Sequence, residues 1–191
     1  TFSASAAADG LTVGGQGGSD TFTFTAAVLN SRFAGGQGID KFVSTTGDIG
    51  TKVTIVGGSE NDVIGTSTAR FQTGTSAFIN GQVGADSIFL DGTAGMTVYG
   101  GSEADTINNS AAVSSCLLSG DAGADTIVDV AGVNTINGGG GNDSLVIDQG
   151  IDSGRDTNSG AGANTLIGGA GTDTFANTSL GTSVTLVTAF E

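Results

Sequence analysis

The sequence predicts an all-β protein, a right-handed parallel β-solenoid (β-roll-like) of about eight coils with glycine–Asp turns along one edge. Three observations lead to this fold class. A short glycine-rich motif that closes on an Asp recurs through most of the 191 residues. Apolar and polar residues alternate on both sides of each copy, as in strands with one buried face. The copies recur with a period close to that of one coil in a solenoid.

The clearest copy of the motif is Ile136–Leu145, which reads I-N-G-G-G-G-N-D-S-L. Phe33–Phe42 and Leu166–Phe175 repeat the same order of apolar residue, glycines, Asp and apolar residue. Successive turn aspartates are separated by 20, 22, 24, 19, 20, 18 and 30 residues. We expect a strand on each side of every turn, and a return loop that carries the variation in length. The eight turn aspartates are Asp20, Asp40, Asp62, Asp86, Asp105, Asp125, Asp143 and Asp173.

The apolar positions of each copy align with those of the next. The residue two positions after each turn Asp is always large and apolar, from Phe22 to Phe175. Two and four residues before the first turn glycine lie further inward candidates, such as Val53 and Ile55. We expect all these positions to point into the core, because they alternate with polar ones. Glycine suits the turn itself, since it adopts backbone angles that other residues resist.

One solenoid is expected to span residues 11–187, with its last strand at Val184–Val187. Residues 1–10 are small and weakly patterned, so we expect them to form a lead-in or linker. Residues 188–191 are expected to form a C-terminal tail.

The long interval before Asp173 is interpreted as an insertion, because Asn164–Leu166 aligns with Asn134–Ile136. No signal peptide is visible and the chain begins with Thr1 rather than Met. We therefore expect a processed or excised chain, or one exported without an N-terminal signal.

The composition argues against several classes of chemistry. There is no His, which removes the serine triad, His–metal sites and His acid–base catalysis. Cys116 is the single cysteine, so no internal disulfide forms, and we expect it to pack in the core. The acidic group Asp148, Asp152 and Asp156 is interpreted as a solvated loop rather than an active site. We expect no enzymatic activity.

The charge of the chain points to a cationic partner. Nineteen Asp and Glu stand against 5 Lys and Arg, for a net charge of -14. Such a chain repels nucleic acid and anionic membranes and attracts cations. No apolar run approaches the length of a membrane span.

Stacked turns would place the eight carboxylates in a column along one edge of the solenoid. These charges repel each other unless a cation lies between successive turns. Calcium suits such a site, because it accepts about six to eight oxygen ligands in flexible geometry, including backbone carbonyls. Softer metals favour the His and Cys ligands that are missing here. The alternative is that each Asp only forms an Asx turn with its own backbone.

In these turns the chain resembles the RTX, or hemolysin-type, family of calcium-binding repeats, whose motif is G-G-x-G-x-D followed by an apolar residue. The resemblance covers roughly residues 13–175, with three full and five looser copies of the motif. It implies a parallel β-roll in which turn carboxylates and glycine carbonyls of neighbouring coils hold Ca²⁺. The ligands that it implies are the eight turn aspartates together with Gly36, Gly38, Gly58, Gly101, Gly139, Gly141, Gly169 and Gly171.

Five positions depart from the family motif. Glu60 and Glu103 replace the glycine at the fourth position, and Gln16, Gln82 and Asp121 replace the glycine at the second. A side chain at the fourth position is expected either to distort the site or to supply an extra carboxylate. The motif also occurs at one end of each coil, whereas the family's β-roll has it at both. We therefore expect calcium along one edge and ordinary loops along the other.

An outward-facing row rich in threonine lies three residues before the first turn glycine. Other outward positions are apolar, which predicts more exposed apolar surface than a free monomer usually shows. Neither end of the rod has an obvious cap. We therefore expect self-association or packing within a larger assembly. The row consists of Thr12, Arg32, Thr54, Phe78, Thr97, Leu117, Thr135 and Thr165.

These features favour a non-enzymatic calcium-binding structural module of a secreted or surface assembly. Candidates are a cell-surface layer, an extracellular filament, and a virion fibre or decoration; each implies an extracellular or surface location. A first alternative, which the RTX resemblance supports, is a calcium-triggered folding or secretion module of a larger secreted enzyme or toxin. A second is recognition of carbohydrate or ice by the threonine row, which Phe78 and Leu117 interrupt.

Overall fold

Short strands alternate with turns along the chain. The computed structural model describes residues 1–45, 49–68, 70–91, 94–110, 115–130, 132–147, 164–177 and 184–187. Within these residues there is no helix, and the strands pair in parallel with those of the next coil. The chain winds into a parallel β-solenoid of about seven turns, which confirms the predicted fold class and comes close to the eight coils expected. No helix in the described ranges is long and apolar enough to cross a membrane.

The described strands form two nine-stranded parallel sheets and one two-stranded sheet. Most strands of sheet 1 lead into the glycine turns, and most strands of sheet 2 lead out of them. Sheet 1 consists of β3 (Thr12–Gly17), β6 (Arg32–Gln37), β8 (Thr54–Ser59), β10 (Phe78–Val83), β12 (Thr97–Ser102), β14 (Leu117–Ala122), β16 (Thr135–Gly140), β18 (Asn164–Ala170) and β20 (Val184–Val187). Sheet 2 consists of β1 (Phe2–Ala4), β4 (Thr21–Phe24), β7 (Lys41–Ser44), β9 (Val63–Ile64), β11 (Ser87–Leu90), β13 (Thr106–Asn109), β15 (Thr126–Asp129), β17 (Ser144–Ile147) and β19 (Thr174–Asn177). The small sheet pairs β2 (Ala8–Asp9) with β5 (Val28–Leu29).

Apolar side chains from the two large sheets form the core and stack from coil to coil. Ile88 and Ile107 pair in register in sheet 2 and are fully buried. In the first coils phenylalanine takes this position, and the rings of Phe22 and Phe42 stack with centroids 4.6 Å apart. This spacing matches the roughly 4.8 Å between neighbouring strands. Cys116 is buried, as predicted. Of the predicted inward positions, Leu11, Val13 and Phe175 are only partly buried.

The threonine-rich row lies on the outer face of sheet 1, in the predicted register. Thr54 pairs with Phe78, and Phe78 with Thr97. Apolar exposure among the described residues is smaller than expected: Val56 is buried, and the outward residues Val43, Phe89, Tyr99, Val128, Val146 and Ile167 are half-buried. The exposed large apolar side chains in the described ranges are Leu29, Ile39, Phe78 and Val83.

The first ten residues differ from the expected lead-in or linker, because they contain two paired strands. Phe2–Ala4 pairs with the strand that contains Phe22, and Ala8–Asp9 pairs with Val28–Leu29. The ring of Phe2 packs against the ring of Phe33, with ring centroids 5.5 Å apart. Counting turns does not find this strand, because the first glycine motif in the sequence closes only at Asp20.

Two further expectations concern the end of the chain. The predicted strand at Val184–Val187 is present, and Leu166 pairs with Ile136, as the alignment across the long interval predicts. Residues 148–163 of this interval, which include Asp148, Asp152 and Asp156, and the tail at 188–191 lie outside the described residues.

Candidate metal centre

The turn backbone has the same conformation whether glycine is present or not. At the second and fourth motif positions φ is positive, for example 110° at Gly36 and 130° at Gly141. Glu60 and Glu103 keep this conformation, with φ of 75° and 81°. The glutamates therefore do not distort the path of the backbone, which was one of the two outcomes expected for them.

The eight glycines predicted as ligands lie in these two columns, packed against the backbone of the preceding coil. A Cβ at Gly58 would lie closer than 3.0 Å to the carbonyl oxygen of Gly36, and one at Gly171 equally close to that of Gly141. The turn carbonyls thus lie against the next coil, between neighbouring turns. Glycine accommodates this close approach together with the positive φ without steric cost, because it has no Cβ.

The turn aspartates form one continuous column, as predicted from their spacing. The backbone N–H of each Asp donates a hydrogen bond to Oδ1 of the Asp one coil later, for instance from Asp86 to Asp105 at 2.7 Å. Seven such bonds of 2.6–3.1 Å connect all eight aspartates. This pattern differs from the Asx-turn alternative, because Oδ1 accepts from the neighbouring coil rather than from its own turn. The role of the aspartates as calcium ligands remains a prediction.

The other carboxylate oxygen, Oδ2, lies beside the first glycine of its own turn. A Cβ at Gly57 would lie closer than 3.0 Å to Oδ2 of Asp62 and also to the carbonyl oxygen of Gly81 in the next coil. Gly120 has the same two neighbours, Asp125 Oδ2 and the Gly138 carbonyl. A carboxylate oxygen and a carbonyl oxygen therefore face one space that only the missing side chain leaves open.

The sequence-based ligand set omits these first-position glycines. The sequence does mark these glycines as special, because glycine occupies the first position in all eight turns, whereas the second and fourth positions vary. The column consists of Gly15, Gly35, Gly57, Gly81, Gly100, Gly120, Gly138 and Gly168.

Six consecutive turn aspartates, from Asp40 to Asp143, are buried and have an Oδ2 atom without a hydrogen-bond partner. Burial raises the pKa of Asp62 and Asp105 to about 7, against the lowering effect of the N–H bond from the preceding Asp; repulsion from neighbouring aspartates adds to the rise. The same causes, burial first, raise the pKa of Asp125 to about 6. A buried carboxylate oxygen without a partner is costly. The column therefore favours uptake of protons or of a cation.

The donor set fits calcium. It consists of carboxylate Oδ2 atoms and turn carbonyls, all hard oxygen ligands without His or thiolate. In the described part of the chain, no three acidic, His or Cys side chains lie together closely enough to hold a metal by themselves. A cation here would therefore need backbone carbonyls, which every turn supplies. Calcium accepts such mixed sets, whereas magnesium requires stricter geometry.

A second buried carboxylate lies away from the glycine turns, at the far end of a sheet 2 strand. Asp129 is fully buried, and its two oxygens accept hydrogen bonds from Nδ2 of Asn109 and of Asn134, both at 2.9 Å. Oδ1 of Asn134 accepts the backbone N–H of Cys116 at 3.0 Å. Both oxygens of Asp129 are therefore satisfied within the protein. Sequence reasoning missed this group, although Asp129 shares its register with the buried Ile147.

We expect Asp129 to make the stability of the chain depend on pH. Burial raises its pKa to about 6 from 3.8, although the two amide hydrogen bonds oppose the rise. Between these values the folded chain binds a proton that the unfolded chain does not, so stability increases as the pH falls from 6 to 3.8. Above pH 6 this contribution, up to about 3 kcal/mol, is lost.

Urea unfolding at several pH values in saturating calcium measures this effect, because calcium bound to the predicted ligands would keep the turn aspartates ionised. The free energy of unfolding of the wild type should increase at low pH by the contribution of protonated Asp129. The Asp129→Asn variant should not show this increase. Asp91→Asn, which alters an exposed Asp, is the control. Parallel pH profiles for the wild type and Asp129→Asn would contradict the prediction.

Comparison with known proteins agrees with the geometry of the turns. Residues 119–153 and 158–176 match the family model of the RTX calcium-binding nonapeptide repeat, in four copies. These segments contain the turns of Asp125, Asp143 and Asp173. No curated protein and no solved structure matched the chain. The resemblance predicted from the sequence is confirmed in these segments: the chain is a parallel β-solenoid, and its residues 119–153 and 158–176 match RTX calcium-binding repeats.

Proposed function

We propose that the chain is a calcium-stabilised structural module of a secreted or surface assembly, without enzymatic activity of its own. The observation that carries the proposal is the column of turn aspartates, in which six buried Oδ2 atoms have no hydrogen-bond partner. Carbonyl oxygens of the next coil lie beside them. A structure of this kind requires positive charge between its coils.

Different residues of each turn contribute different parts of the predicted calcium site. The N–H of each turn Asp from Asp20 to Asp143 fixes Oδ1 of the next Asp, so that the seven carboxylates after Asp20 have one orientation. The first glycine leaves space for Oδ2, and the second- and fourth-position residues place carbonyls between the turns. Calcium, when bound, supplies the charge that balances these oxygens. Because the unfolded chain has no such column, calcium stabilises the folded state by mass action.

Coupling of folding to calcium binding suits an extracellular location, since calcium is plentiful outside the cell. Before export the chain would lack the cation that its column needs, and after export it would fold. Bound calcium also reduces the net charge of -14, which otherwise keeps copies of the chain apart. Copies would then pack through the outer face of sheet 1, where Phe78 lies beside Tyr99 with ring centroids 5.8 Å apart.

A second candidate is a calcium-triggered folding or secretion module of a larger secreted enzyme or toxin. The RTX match at residues 119–153 and 158–176 favours it, because the match concerns calcium binding and not assembly. Both candidates share calcium-dependent folding. They differ in whether folded copies associate with each other.

Circular dichroism and light scattering on one sample, titrated from chelator into millimolar calcium, test the proposal. We expect calcium to produce β structure, and then an increase in particle mass. A gain of β structure at constant mass would favour the folding module. No change in either signal would overturn both candidates.

A further inference from the structure

Two departures from the repeat motif lie together on the surface of the turn edge. Glu60 and Glu103 belong to alternate turns, and Gly84 occupies the same position in the turn between them. Both side chains are exposed. They line one hollow of about 510 Å³, together with Ile39, Ser59, Asn61, Val83 and Gly84. A glutamate thus stands on each side of a turn that has no side chain at this position.

The hollow lies next to part of the aspartate column. Glu60, Gly84 and Glu103 each precede a turn Asp by two residues, namely Asp62, Asp86 and Asp105. These three aspartates are at most 2% exposed, and their Oδ2 atoms have no hydrogen-bond partner. Glu60 and Glu103 therefore place two exposed carboxylates on the surface beside these three turns.

Both glutamates oppose folding of the cation-free chain. Each has the left-handed backbone conformation that glycine adopts in the other six turns, which is unfavourable for a residue that carries a side chain. Each also adds negative charge to a column that is already negative. A bound cation reverses the second effect, because the same charge then becomes attractive.

We propose that Glu60 and Glu103 make the turns of Asp62, Asp86 and Asp105 the part of the column that binds calcium most tightly. The inference rests on the proposed function, since it assumes that the column binds calcium. Calcium affinity rises with the number of charged ligands around a site. The turns of Asp40 and Asp143 have glycine at the fourth position and lack this carboxylate.

Isothermal titration with calcium alone tests the proposal on the double variant Glu60→Gln, Glu103→Gln. The exposed side chains keep their size and lose their charge. We expect the affinity of the tightest class of sites to fall about tenfold. The double variant Asp9→Asn, Asp91→Asn removes the same charge from exposed positions outside the turns, and it should bind calcium like the wild type.

The double variant Glu60→Gly, Glu103→Gly separates a role in binding from a merely tolerated departure. It restores the family motif and relieves the backbone conformation, so it should fold more readily in chelator. We expect its tightest calcium affinity to fall as in the glutamine variant. An affinity equal to that of the wild type, or higher, would overturn the inference.

Calcium titration distinguishes failure of the proposed function from failure of the role of the glutamates. A wild-type chain that binds no calcium would overturn the proposed function. A wild-type chain that binds calcium, with a glutamine variant that matches the Asp9→Asn, Asp91→Asn control, would overturn this inference alone. Circular dichroism spectra of all variants in saturating calcium verify that each is folded.

Discussion

Replacing Asp125 with Asn is expected to shift stability in opposite directions with and without calcium. In the wild type, Oδ2 of Asp125 and the carbonyl oxygen of Gly138 face the same space beside Gly120, and neither is a donor. The Nδ2 amide group of Asn would take the place of Oδ2 and donate a hydrogen bond to the carbonyl oxygen of Gly138, so that neither group lacks a partner. Its Oδ1 would still accept the N–H of Asp105, which lies 2.8 Å from this atom in the wild type.

In chelator at neutral pH, we expect this exchange to stabilise the folded chain by about 1–3 kcal/mol, because it removes an unpaired buried group. The osmolyte concentration that folds half of the chain should fall accordingly. With calcium present the sign should reverse, since the amide lacks the charge and the oxygen that the cation needs. Calcium titration should show weaker binding than the wild type, with Asp91→Asn as control. Equal stabilisation in both conditions would favour a purely structural Asp.

Replacing Gly138 with Ala is expected to destabilise the solenoid strongly, whereas the same change at Gly140 should be tolerated. A Cβ at Gly138 would lie closer than 3.0 Å to Oδ2 and Cβ of Asp143 and to the carbonyl oxygen of Gly168. The backbone cannot easily retreat, because β16 pairs with a strand on each side. We expect a loss of about 2–4 kcal/mol and weaker calcium binding, since the methyl group displaces the carboxylate.

Gly140 provides a matched control in the same turn. The nearest atom to a Cβ there is the carbonyl oxygen of Asp121 at 3.9 Å, which is ordinary contact. Alanine should therefore be neutral or stabilise by about 0.4–1 kcal/mol, through lower entropy of the unfolded chain. Urea unfolding in saturating calcium compares the two variants. Equal stability would show that Asp143 does not pack against the first glycine.

The position in the stack was predictable from the sequence for the inward residues that flank the glycine turns. Ile88 and Ile107 have the same offset from their turn aspartates, and the structure pairs them in register. This works because each coil of a solenoid contacts its neighbours in the same way, so offset along the chain becomes position in the stack. The threonine-rich row was predicted in register for the same reason.

Strand β1 and the polar group at Asp129 did not follow from the motif. Phe2 lies 20 residues before Phe22, but without a glycine turn its strand has no local marker. Asp129 occupies a position where polar residues are rare, and it is stable there because Asn109 and Asn134 come from two different coils to bind it. Asn109 is 20 residues away in the sequence, and Asn134 lies five residues away on the other side of a return loop, so the turn motif reveals neither partner.

The sequence by itself determined the repeat, the parallel solenoid, the column of turn aspartates and the oxygen-only donor set that fits calcium. The tertiary structure decided the orientation of each carboxylate: Oδ1 accepts an N–H from the preceding coil, and Oδ2 is buried against the first glycine of its own turn. The physical reason is that orientation depends on atoms of the neighbouring coils, which reach the turn only after stacking. Spacing along the chain places an Asp at the turn, and packing between coils decides what each of its oxygens contacts.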